Sequence, residues 1–307
     1  MNPLRGIGLK ILSVVVFTAM AICIKAAQPH VPPGQTVFFR SFFALPVILV
    51  WLGLTQNLRH GLATANPMGH VWRGLVGTTA MALGFTALGL LPLPEATALG
   101  YAAPLLTVIF AAMFLGEAVR AFRLSAVGVG LVGVTIVLGP RMTLTSLDAT
   151  SKLQTIGAMA ALGGAVFAAL AQVFVRKLVH SEPTATIVFY FSVTGALLAL
   201  VTLPFGWVIP TGREAALLVG AGLLGGCGQI LLTESYRHAE TSVVAPFEYV
   251  SMVLSLLFGY LLFSERPTMT TLVGAALIVA AGLFIIWRER RLGVQRARAR
   301  GAMTPQG

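Results

Sequence analysis

Ten apolar stretches, each long enough to cross a bilayer as a helix and separated by short connections, constrain this chain more than any motif in it. Their approximate limits are 8 to 27, 36 to 55, 70 to 91, 95 to 115, 122 to 139, 155 to 175, 185 to 206, 214 to 235, 241 to 263 and 269 to 287. Crossing hydrocarbon about 30 Å thick takes roughly 20 residues of helix. Of the 307 residues 57% are hydrophobic and 10% charged, whereas soluble domains carry about 25% charged residues. The chain therefore reads as an all-α integral membrane protein. The longest connections, 56 to 69 and 140 to 154, are too short to hold a folded soluble domain. Beyond Arg291 disorder is expected.

The two halves repeat each other. Sliding the sequence by 148 residues superposes Gly74 on Gly222, Gly77 on Gly225, Tyr101 on Tyr249, Phe110 on Phe258 and Glu117 on Glu265. A slip to 150 aligns Phe17 with Phe167, Thr36 with Thr186 and Phe39 with Phe189. Five spans per half is an odd number, so the second half is expected to enter the bilayer upside down. Inverted repeats suit a molecule that opens alternately to either side. The expected organisation is a first repeat over 8–139, a periplasmic linker over 140–154, a second repeat over 155–288 and a basic cytoplasmic tail over 289–307.

The net charge of +11 raises nucleic acid as a partner, but its distribution argues for a membrane. With the amino terminus cytoplasmic, inside segments collect Arg5, Lys10, Arg59, Arg73, Arg120, Arg123, Arg176, Lys177, Arg237 and the arginine-rich tail. Outside segments hold only Lys25, Arg141, Lys152, Arg213 and Arg266, which fits the positive-inside rule. The tail then serves as an anchor facing anionic lipid. The apolar stretch after Lys10 runs beyond a signal-peptide core and has no clear small-residue cleavage site, so the first span is expected to be retained. Cys23 and Cys227 fall inside spans and read as small buried apolar residues, not as a disulfide or metal pair.

Enzymatic and nucleotide-binding readings lack parts. Two literal G-x-G-x-x-G matches, at Gly128, Gly130, Gly133 and at Gly220, Gly222, Gly225, lie in mid-span with no strand before them. No phosphate loop and no G-x-S-x-G elbow occur, the five histidines lie in loops or at span ends, and Asp148 is the one aspartate. No cofactor and no metal are expected. Glycines such as Gly222 and Gly226, at GxxxG spacing, are expected to let helices approach closely.

Ionisable residues inside lipid are costly and mark function or pairing. Two lie more than a turn inside spans, Arg40 and Glu248. Glu248 follows Ala245-Pro246-Phe247, where proline perturbs the helix and frees a carbonyl. It is either a cavity-lining solute or proton-coupling site, or a structural partner of Arg40 or of a neighbouring helix. Arg40, in the run Phe38-Phe39-Arg40-Ser41-Phe42-Phe43, either faces the interior or snorkels to the outer interface. Tyr101 and Tyr249 hold equivalent repeat positions and either stack on a flat solute or bond a facing helix. Gln172 and Gln229 serve packing or recognition. Glu117 and Glu265, at span ends, read as solvated carboxylates near a helix dipole.

These residues carry a resemblance to the drug/metabolite transporter superfamily, in its ten-span branch of two EamA domains. It covers about residues 8 to 288 and rests on Phe39-Arg40, on Ala96-Thr97-Ala98 through Tyr101 and Pro104 to Leu115-Gly116-Glu117, and on Ala245-Pro246-Phe247-Glu248-Tyr249 through Phe263-Ser264-Glu265-Arg266-Pro267. Ser264 stands where the family commonly has glycine. The resemblance implies a secondary transporter or facilitator of a small metabolite in a bacterial inner membrane, with a cavity between the repeats; the charge distribution over ten spans leads to the expectation that both termini are cytoplasmic. Phe39, Arg40, Tyr101, Gln172, Gln229, Glu248 and Tyr249 are the candidate solute-binding residues. The opening Asn2-Pro3-Leu4-Arg5-Gly6-Ile7, with Lys10, is similar to bacterial riboflavin importers, which makes riboflavin uptake the leading expectation. Export of an amino acid or related metabolite is the alternative, with Arg40 and Glu248 clamping carboxylate and amine. A non-transporting scaffold or sensor would have no cavity. The expected partners are the solute, the lipid bilayer and a second copy of the chain as a homodimer.

Overall fold

Prolines and small residues divide the chain into helices, and every regular element among the described residues is helical. The structure, a computed structural model, describes residues 3–28, 30–55, 62–115, 121–141, 149–178, 181–239 and 244–302. Glu117, Asp148, His60, His180 and residues 142–148 of the expected linker lie outside them. The helices are α1 (Pro3–Ala27), α2 (Pro33–Phe42), α3 (Ala44–Thr55), α4 (Pro67–Leu90), α5 (Leu93–Gly100), α6 (Ala102–Leu115) and α7 (Ala121–Leu138). They continue as α8 (Ala149–Leu178), α9 (Thr184–Leu200), α10 (Gly212–His238), a 3-10 stretch Ala245–Tyr249, α11 (Val250–Phe263) and α12 (Met269–Ala302).

Local chemistry sets these limits. Asn66 caps α4 by accepting the Gly69 amide at 2.9 Å, and Thr211 and Glu214 form a capping box on α10. Pro92 separates α4 from α5. The breaks at Phe43 and Tyr101 each fall three residues before a proline, Pro46 and Pro104, whose missing amide leaves a carbonyl of the preceding turn without its helical donor.

Eight segments are long and apolar enough to cross a membrane among the described residues, counting α2 with α3 and α5 with α6 as single spans. The chain is a multi-pass membrane protein. Two of the ten expected spans are not among the eight. The one at 70 to 91 corresponds to α4, which carries His70 and Arg73 in its first turns, and the one at 185 to 206 to α9, which gives way to turns after Leu200.

The most extensive helix pairings, α1 with α10, α4 with α8 and α7 with α12, each join the first half of the chain to the second. Glycine makes two helix approaches close, one of them within these pairings. A Cβ on Gly133 would lie 2.7 Å from the Gly274 carbonyl oxygen, so α7 and α12 meet backbone to backbone. Gly222 and Gly226 seat α10 on Phe43 and Ala44 of the α2–α3 span. Of the two G-x-G-x-x-G matches, Gly130 and Gly133, and Gly222 and Gly225, are used in helix packing, whereas Gly128 and Gly220 face open space.

Three expectations are corrected. Residues 292–302, expected to be disordered, are helical, because α12 runs to Ala302 through Arg, Gln and Ala, which are good helix formers. Cys227 is exposed on α10, where a thiol can face hydrocarbon without penalty; it and Cys23 are both free. Lys10 and Arg73, read as charges of cytoplasmic segments, have side-chain atoms buried in the bundle.

Candidate functional site

A stripe on α1 lines a cavity of about 130 Å³: Val14, Phe17, Thr18 and Ala21 recur at helical spacing and share one face. Leu93 and Thr97 of α5, Glu248 of the 3-10 stretch and Ser251 and Ser255 of α11 complete the wall. The wall hydroxyls donate to their own backbones: Thr18 to the Val14 carbonyl at 2.8 Å, Thr97 to Leu93 at 2.8 Å, Ser251 to Glu248 at 2.6 Å and Ser255 to Met252 at 2.9 Å. Their protons being engaged, these oxygens and the Glu248 carboxylate offer lone pairs to the cavity. Such a lining favours hydrogen-bond donors, and an ammonium group most of all.

Each end of this region is tied by an ion pair. At one end Lys10 of α1 donates to Glu248 Oε2; the lysine side chain is 2% exposed and the glutamate 46%. At the other, Lys25 of α1 lies 3.0 Å from Glu265 Oε1 and donates to the carbonyls of Leu88 at 3.0 Å and Leu91 at 2.6 Å. Glu265 Oε2 accepts the Leu93 amide at 2.7 Å. The reading of Glu265 as a solvated carboxylate is therefore corrected: it bridges α1, the α4–α5 turn and the segment after α11. At 1.5 Å rise per residue, the two lysines are about 22 Å apart along α1, and the cavity residues of α1 lie between them.

A third carboxylate works outside the spans. Glu182, in the connection before α9, accepts the Thr64 hydroxyl at 2.8 Å and the Ala65 and Asn66 amides at 2.8 and 2.9 Å. Burial alone would raise its pKa, but these hydrogen bonds, with His70 nearby, outweigh it and hold the carboxyl below its ordinary value.

Of the expected solute-binding residues, only Glu248 lines the cavity. Its ion-pair partner is Lys10, not Arg40. Tyr101 and Tyr249 do come together, but on each other: their rings meet edge to face at 5.1 Å. The Tyr101 hydroxyl bonds Ser251 Oγ at 2.5 Å, and the Tyr249 hydroxyl fills the space left by Gly282 on α12. Arg40 does not snorkel; it is buried against Phe191. Phe39 packs in a separate cluster with Ala27, Val31 and Leu218, Gln229 is half-buried on α10 and Gln172 is exposed on α8.

Sequence reasoning missed Lys10, Lys25 and Arg73, having placed them at span ends. The signal was present: a 25-residue apolar helix that carries Lys10 and Lys25 besides Arg5 has cations to neutralise.

The comparisons with known proteins agree with this architecture. The chain is 32% identical over 280 residues to the pseudopaline exporter CntI of Pseudomonas aeruginosa (strain UCBPP-PA14), covering 90% of this chain and 94% of that one. It is 30% identical over 291 residues to the S-adenosylmethionine uptake transporter of Rickettsia felis, covering 94% of each. It is 31% identical over 300 residues to the riboflavin transporter of Rhizobium johnstonii, covering 94% of this chain and 90% of that one. A solved crystal structure superposes with a TM-score of 0.65 at 25% identity, over 94% of this chain and 98% of the other. The model of the EamA-like transporter family matches residues 4–139 and again 155–287, and the chain belongs to that family.

Proposed function

We propose that this protein is a secondary transporter or facilitator that moves a small polar metabolite across a bacterial inner membrane by alternating access. The observation that carries this reading is the cavity on α1 with an ion pair towards each end, since each pair joins α1 to residues 245–265 of the other half. In the proposed arrangement ten spans form two inverted five-helix repeats, 8–139 and 155–288. Both termini and the tail 289–307 lie in the cytoplasm, with 140–154 outside. Lys10–Glu248 then closes the cytoplasmic side and Lys25–Glu265 the periplasmic side. Glu248, half-exposed beside the cavity, takes the cationic end of the solute or a proton when Lys10 releases it.

Proteoliposomes holding the purified chain, given labelled S-adenosylmethionine and riboflavin, test this. Saturable flux of either compound, absent from empty vesicles and lost in Glu248→Gln, is the expected result. No flux of either after verified insertion, or equal flux in Glu248→Gln, refutes it.

Riboflavin remains a second reading, supported by the relative that bears that name. The acceptor-rich cavity and the mutual packing of Tyr101 and Tyr249 favour a solute that carries an amine. Flux of riboflavin without S-adenosylmethionine would reverse that preference.

A further inference from the structure

Two arginines have side-chain nitrogens buried in the bundle away from the cavity lining, with no ion-pair partner among the described residues. Arg40 of α2 is 5% exposed, and its Nε has no protein hydrogen-bond partner among those residues. The same holds for Nε and Nη1 of Arg73 on α4. Both guanidiniums face Phe191 of α9: the Arg73 Cζ is 4.2 Å from the ring centroid and the Arg40 Cζ 5.6 Å. The two charges are near enough to repel. Stacking on one aromatic face contributes less than burial of an uncompensated ion costs, so a single phenyl ring cannot balance both.

The surroundings point the same way. The hydroxyls of Ser41, Thr78 and Ser192 are also buried without a protein partner among the described residues. Ser41 and Thr78 meet over Gly195, their oxygens 2.7 and 3.4 Å from where its Cβ would stand, one turn along α9 from Phe191. Gly77, one turn after Arg73, leaves the room that Arg73 Nη1 fills. Helices α2, α4 and α9 pack on one another here, bringing together two cations and donor hydroxyls. The complement to such a set is an anion that accepts several hydrogen bonds, and the planar guanidinium fork fits a carboxylate with two parallel bonds.

We propose that Arg40 and Arg73, with the hydroxyls of Ser41 and Thr78, form a carboxylate-binding site for the anionic end of the transported solute. This rests on the carrier reading and narrows it to solutes that bear both an amine and a carboxylate. Met20 beside Arg40 belongs to α1, the helix whose other residues line the cavity, so one helix touches both places.

The test is binding, not transport. The thermal midpoint of the detergent-purified full chain is titrated with sodium acetate, sodium phosphate and sodium chloride at matched ionic strength. A saturable rise with acetate, on the order of 3 °C, is expected for the wild type. It should vanish in Arg40→Gln/Arg73→Gln. In Arg40→Lys/Arg73→Lys, which keeps both charges but loses the fork, the apparent affinity should fall at least tenfold; that pair carries the test if the glutamine pair does not fold. Saturation by phosphate but not acetate, an equal response in the variants, or no saturable response in the wild type overturns the proposal. A chain that moves solute without an arginine-dependent acetate response retains the carrier reading and loses this site. A chain that binds acetate through these arginines but moves nothing does the reverse.

Discussion

Lys10 and Glu248 form a pair of unequal burial, and the inequality assigns their roles. The lysine is held inside the bundle while half of the carboxylate faces open space, so the exchangeable member is Glu248. Glu248→Gln should lower saturable flux at least tenfold and destabilise the protein by about 1–3 kcal/mol, below the range for a fully buried pair. Adding Lys10→Met should recover the stability and leave flux low; melting in detergent and flux in vesicles read the two effects separately. Recovery of both by the double change would reduce the pair to a structural tie. The sequence exposed Glu248 because a carboxylate beside Pro246 in an apolar run is conspicuous. It hid Lys10, since a lysine near a span end is usually solvated, and only folding brings residues 238 positions apart into contact.

At the scale of the element, Ser264 ends α11 in the left-handed conformation, with φ 54° and ψ 27°. It is the one non-glycine residue with positive φ among those described. The Glu265 amide returns to the Gly259 carbonyl at 2.9 Å, so this turn sets the position of the Glu265 carboxylate. Ser264→Gly relieves the steric cost of a Cβ there and should raise stability by about 0.5–1 kcal/mol, read as a higher melting midpoint. The family resemblance marked the position as unusual; the backbone gives the reason. The connection before α9 offers a pH test. The folded pKa of Glu182 is lowered, so its contribution is full above the ordinary carboxylate range and is lost as pH falls through the lowered value. Glu182→Gln should melt below the wild type at neutral pH, and the gap should close on acidification. A gap that stays constant down to pH 3 would show that the carboxylate charge is not what stabilises this connection.

For the whole molecule, apolar periodicity and proline placement made the helices legible, because span length is fixed by bilayer thickness and breaks follow missing amides. Repeat arithmetic brought out the Tyr101 and Tyr249 correspondence but not its geometry: the two rings pack edge to face instead of framing a slot. Which polar side chains meet between halves depends on helix rotation, which no single strongly apolar span reveals. If Lys25–Glu265 holds the outer side shut, Lys25→Met should increase labelling of Ser251→Cys by a membrane-impermeant thiol reagent applied from the periplasm, in a background lacking Cys23 and Cys227. Unchanged labelling would remove that pair from any closing role. Because both lysines ride on one unbroken helix, α1 can act as a see-saw. A tilt of about 10° about its midpoint would carry each end roughly 2 Å in opposite directions, given a half-span near 11 Å. A displacement of that size is enough to part a lysine from a carboxylate 3.0 Å away at one end while pressing the other pair together. The rigidity of a single rod would then forbid both sides from standing open at once, making leakage a problem of lever geometry.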